Sequence, residues 1–206
     1  MQSMTRLLLP VVLLMLSASA GAQPEEAAPA APDRVVERLE TMLIEHMKAG
    51  DAMTFEQRYK RLRPLLAEIL ALDRMGRYVF GRDWQSFSDA QRERFTEAFG
   101  DLSAATYAGQ FTDYNGERFD PVEVNRQGED RAVVRRRLTT GSGKQVAFDY
   151  LMTLDEGRWR IVTIITDGVS DLALKRSQYR RILDERDFGA VIERIGNAIE
   201  AQREGG

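Results

Sequence analysis

The sequence predicts an α+β fold with a helical N-terminal half, a four-stranded antiparallel curved sheet and two C-terminal helices. Apolar residues recur at helical spacing as far as about Gly109, and past the turn dipeptide Asn115-Gly116 the period drops to two. Beyond Asp167-Gly168 the spacing becomes helical again. That order of helices, meander and helices leaves helical segments to cover one face of the sheet.

The chain of 206 residues opens with "MQSMTRLLLPVVLLMLSASAGAQ", in which one cation, Arg6, precedes an apolar run from Leu7 to Leu16 and then small residues. This pattern is that of a secretory signal peptide, expected over residues 1–22 with cleavage after Ala22. An uncleaved anchor is the other reading, but the run falls short of the ~20 residues a span needs. No Cys stands near the site to accept a lipid. The acidic, Pro-rich stretch 23–32 reads as a disordered leader, and residues 33–203 as one domain. An exported chain without Cys folds without disulfides in a compartment that permits them. The formal net charge of −3, with both signs interspersed, argues against nucleic acid as a partner.

Val35, Leu39, Met42, Leu43 and His46 follow helical spacing up to Gly50. Thr54 and Gln57 form a capping-box pair opening the next helix, whose apolar face is Phe55, Tyr59, Leu62, Leu66, Ile69 and Leu70. Pro64 lacks the N–H an interior position needs, so a kink or a fresh start is expected near Arg63. A short helix from Asp73 to Phe80 ends at Gly81, and Ser88 with Gln91 caps another that buries Phe95, Ala98, Phe99, Leu102 and Thr106. Strands are expected at Phe119 to Arg126 and Arg131 to Thr140. Two stronger ones, "VAFDYLMTL" and "RWRIVTIIT", are joined by Asp155-Glu156-Gly157. Helices Ser170 to Leu183 and Asp187 to Gln202 close the chain.

Catalytic chemistry finds little support in these residues. His46 is the single imidazole and lies on an apolar helix face, where a packed histidine is the ordinary case. A metal site would need thiols or a second His, and "TTGSGKQ" lacks the glycine and the hydroxyl a phosphate loop requires. Neither a metal nor a cofactor is therefore expected. Arg135, Arg136 and Arg137 alternate across one strand, with Arg136 on the side of Val134 and Leu138. They read either as a sheet face paired with carboxylates or as a contact for an acidic partner or lipid head groups. The apolar and aromatic inventory, spread over a sheet face and several helices, suits an ordinary core or a cavity wall equally.

The stretch "MGRYVFGRDWQSFSDAQRERFTEAFGDLSAATYA" closely resembles the MlaC family, also called the toluene-tolerance Ttg proteins. Gly81, Arg82 and Trp84 precede a helix opening with Gln91, Arg92, Arg94 and Phe95, and "FEQRYKRLRPLLAEIL" and "FDYLMTLDEGRWRIVTIITDGVS" keep the family's order. The similarity runs from roughly Val35 to Ile195. It implies a periplasmic phospholipid carrier, not an enzyme, working between an outer-membrane lipoprotein complex and an inner-membrane ABC transporter. It also implies transient contact with membrane surfaces and a fold similar to the nuclear-transport-factor-like cone, enclosing an apolar cavity. "GVSDLALKRSQY" departs from the commonest pattern and looks more like the HpnM branch, associated with hopanoids. The implied cargo is thus a phospholipid, a hopanoid or both.

For such a carrier the expected lipid-binding residues are apolar: Val146, Phe148, Tyr150 and Met152 of the sheet, or its opposite face, with Phe95, Phe99 and Leu102. Arg176 falls within the stripe Leu172, Arg176, Tyr179 and Leu183. It is either a phosphate contact at the mouth or a stem packed on the core with its head paired to a carboxylate such as Asp149 or Asp167. An exported enzyme on the same fold is the rival, and it would need a cavity carboxylate of raised pKa, for which Asp149 is the candidate.

Overall fold

The computed structural model describes residues 31–205, so the expected signal peptide and most of the leader lie outside the described residues. Helix α1 (Pro32–Ala49) begins with proline at its first position, where the missing N–H costs nothing. It ends at Gly50, whose φ of 50° few other residues tolerate. Helices α2 (Phe55–Ile69) and α5 (Asp89–Gln110) both open with the full reciprocal capping box, Thr54 with Gln57 and Ser88 with Gln91. Between them lie α3 (Leu72–Phe80) and the single turn α4 (Asp83–Ser86).

Helix α2 runs through Pro64 without a fresh start. Pro64 is exposed, so the carbonyl it leaves unpaired faces water rather than the core. The backbone N–H of Ala71 bonds the carbonyl of Ile161 at 2.9 Å, fixing the α2–α3 link to the sheet.

Five strands form one open antiparallel sheet in sequence order: β1 (Arg118–Arg126), β2 (Arg131–Thr139), β3 (Gln145–Asp155), β4 (Arg158–Thr166) and β5 (Val169–Ser170). The fifth corrects the expectation of four. Asp167 and Gly168, with φ of 47° and 83°, make a tight hairpin instead of a simple break, and two residues return to pair with β4. Helices α6 (Asp171–Glu185) and α7 (Phe188–Gly205) follow, α6 starting on the hydroxyl of Ser170. A bulge at Val162 rephases β4, so that both Ile161 and Ile164 face the helices. Helix α5 is central: it packs on α2 and α7, while α6 lies across α3 and β4.

Candidate functional site

The first half of α5 is packed solid. Phe95 is fully buried and meets Phe80 at 4.9 Å, Phe99 at 5.3 Å and Trp84 at 5.7 Å between ring centroids, with Tyr179 of α6 closing the group at 6.5 Å. Trp84 fits because Gly76 has no side chain; a Cβ there would lie 2.4 Å from the indole ring.

Two turns further on, the same helix face no longer meets its partners. A cavity of about 330 Å³ opens between the second half of α5, the inner face of β3 and β4, and the first turn of α6. Phe99, Leu102, Phe111, Phe148, Ile164 and Leu172 give it apolar walls, with Leu70 and Met75 behind. Ser103, Thr106 and Gln110 continue the Phe99 stripe with shorter or more polar side chains, and this shortening leaves the space. The Ser103 and Thr106 hydroxyls are spent on the carbonyls of Phe99 and Leu102, so they present little free polarity to the cavity. Burial pushes the phenol of Tyr107 far above its usual range, keeping it neutral. The two charged lining residues, Asp171 and Lys175, stand at the α6 end and bond each other at 3.0 Å.

Beside the cavity, on the same inward face of the sheet, lies a group of buried charges. Tyr150 stacks on the cavity-lining Phe148 at 6.2 Å, and beneath it Arg136 reaches Glu40 at 3.5 Å and Glu37 at 3.4 Å. Burial pushes the Glu40 carboxyl up to about 7, against the pull of Arg136 and of the Tyr150 hydroxyl. This is the raised carboxylate the enzyme reading required, but Glu40 does not line the cavity. Asp149, the residue nominated for that role, points to the opposite face of the sheet and lies 3.6 Å from Arg135.

Of the residues expected to bind lipid, Phe99, Leu102 and Phe148 line the cavity. Phe95, Tyr150 and Met152 are on the same inward face but buried among side chains, and Val146 is half-buried at the start of β3. Arg176 lies away from the cavity: it donates to the carbonyl of Tyr78 and its guanidinium sits 5.1 Å over the Tyr78 ring. One turn later Arg180 donates to the carbonyl of Phe80 at 2.7 Å, so Arg176 and Arg180 of α6 together cap the C-terminus of α3. Thr106 was expected on the buried face of its helix but not as a lining residue, and Lys175, Ser103 and Gln110 were not expected at all, although the Phe99, Ser103, Thr106, Gln110 spacing is in the sequence.

The model of the MlaC protein family matches residues 37–197. The chain belongs to the MlaC family. A relative from Haemophilus influenzae, the intermembrane phospholipid transport system binding protein MlaC, is 25% identical over 129 residues, 60% of each chain. This alignment thus spans less than two thirds of the relative. The phospholipid-binding protein from Ralstonia solanacearum, solved in complex with a phospholipid, matches with a TM-score of 0.70 and 17% identity. The match covers 84% of this chain and 99% of the other, and the two share a fold.

Proposed function

We propose that the protein is an exported, periplasmic lipid carrier that binds a phospholipid through its acyl chains and moves it between the inner and outer membranes. The cavity between α5, the sheet and α6 carries this reading: its walls are mostly apolar and it is charged at one end. Membership of the MlaC family and the likeness to a phospholipid-binding protein support it. The physical need is plain, because a two-chained lipid exposes on the order of thirty methylenes at ~0.8 kcal/mol each. Free passage through water would cost about 24 kcal/mol, which places unaided desorption on the order of a day.

A cavity of about 330 Å³ is of the size that holds a small ligand or part of a larger one. Of its walls α6 is the one most able to yield as a lipid enters, since it buries only Leu172 and Tyr179. Its partners in this reading are an inner-membrane transporter complex and an outer-membrane lipoprotein complex, with brief contact at each bilayer. The "GVSDLALKRSQY" segment makes a hopanoid the competing cargo.

Purification from a Gram-negative host, solvent extraction and mass spectrometry test the proposal. Stoichiometric phospholipid is expected, and hopanoid in its place would change the cargo. In the variant Thr106→Phe, which fills the cavity from α5, lipid per folded molecule should fall severalfold. No bound lipid in the parent protein, together with no transfer between donor and acceptor vesicles, would overturn the carrier.

A further inference from the structure

The cavity shares two residues with a groove on the surface of α6. Asp171 and Lys175 line the cavity and also line this groove of about 510 Å³, with Leu174, Arg181 and Ile182. Among the described residues no other position lines both. Leu174 beside them is 60% exposed and Val169 54%, an apolar rim at the start of α6. A lipid held by its chains would bring its head group to this threshold.

The charges there come as a pair. Lys175 is one helical turn from Asp171, its Nζ 3.0 Å from a carboxylate oxygen, with 21% of the lysine side chain and 72% of the aspartate side chain exposed. We propose that the Asp171–Lys175 pair is a head-group subsite that selects phospho-ammonium, zwitterionic lipids over anionic ones. A zwitterionic head group carries the same two charges at similar separation. It exchanges both bonds at once, phosphate to Lys175 and ammonium to Asp171, and leaves neither side chain unpaired. An anionic head group takes Lys175 but strands the Asp171 carboxylate beside a second negative charge. Choice thus comes from the repulsion as much as from the attraction.

The inference rests on the carrier reading, and the experiment separates the two. The full chain is loaded from vesicles holding equal parts of phosphatidylethanolamine and phosphatidylglycerol with identical acyl chains, and bound lipid is assayed by mass spectrometry. The parent protein should favour the ethanolamine lipid about threefold, the scale of a partly exposed ion pair. Asp171→Asn should bring the ratio near one, and Asp171→Lys should invert it. Lys175→Gln should lower capture of both lipids while retaining the fold by circular dichroism. A parent ratio equal to that of the vesicles, or Asp171 variants that keep the parent ratio, refutes head-group selection and leaves the carrier standing. Capture of neither lipid by the parent protein removes both.

Discussion

Helix α5 passes through two environments, and the contrast between them separates what holds this protein together from what it does. At Phe95 the aromatic rings of α3, α4, α5 and α6 meet at 4.9 to 6.5 Å and leave no room. At Thr106, three turns on, the same face looks into a cavity of about 330 Å³. Along this face the rings of Phe95 and Phe99 give way to the shorter or more polar Ser103, Thr106 and Gln110. Stability is concentrated at the filled end, where burial is complete, and capacity for a ligand at the open end, where it is not.

The strongest way to break this contrast is to open the filled end. Trp84 is 1% exposed and packed between Phe80, Phe87 and Phe95. Trp84→Ala should cost about 3–5 kcal/mol in chemical denaturation. Lipid per folded molecule should be unchanged, because the indole does not line the cavity. A loss under about 1 kcal/mol, or occupancy falling with stability, would mean that the two ends are not separate.

A second effect sharpens the contrast at the sheet, where the charges around Glu40 lie beside the cavity on the same inward face. Burial raises Glu40 to about 7 and lowers His46, on the same helix and 0% exposed, to about 4. The folded state therefore holds the Glu40 proton more tightly than the unfolded chain, and this contribution to stability falls as pH rises from 4.5 to 7. His46 holds its proton less tightly when folded, so its contribution grows as pH rises from 4 to 6.5. Each is worth about 1.4 kcal/mol per pH unit within its window, and between pH 4.5 and 6.5 they oppose. Relative to the parent protein, Glu40→Gln should gain stability with rising pH across that interval, by roughly 2 kcal/mol, and His46→Met should lose it. Parallel stability–pH curves for all three proteins would show that neither group titrates with folding.

Most of the fold was legible because its signals are local. Thr54 and Ser88 announce helix starts by chemistry that depends on three residues, and alternation along "VAFDYLMTL" names the inward face before any partner is known. The two-residue strand β5 was hidden because Asp167-Gly168 reads equally well as a break or a hairpin. Half the cavity was legible for a similar reason: periodicity puts Phe95, Phe99 and Leu102 on one face but carries nothing about how far away the opposing wall stands. Glu40, whose partner Arg136 is 96 residues on, is likewise a matter of tertiary packing, not of spacing.

Arg176 gives the smallest effect and the finest test of where one region ends and the other begins. It stands one residue from Lys175, which lines the cavity, yet its stem carries the guanidinium the other way, onto the carbonyl and ring of Tyr78 at the C-terminus of α3. An exposed helix end would leave that carbonyl to water. Here α6 supplies the donor, with Arg180 doing the same for Phe80. Arg176→Ala should therefore cost about 1 kcal/mol of stability, the scale of one charged hydrogen bond and one exposed cation–π contact, while head-group ratio and lipid per folded molecule stay at parent values. Arg176→Lys should recover only part of the stability, because a point charge cannot both stack on the ring and keep the fork geometry of the guanidinium. If lipid is lost in Arg176→Ala while the melting temperature holds, the guanidinium is a head-group ligand after all. The threshold would then extend beyond Asp171 and Lys175 to the α3 side of α6.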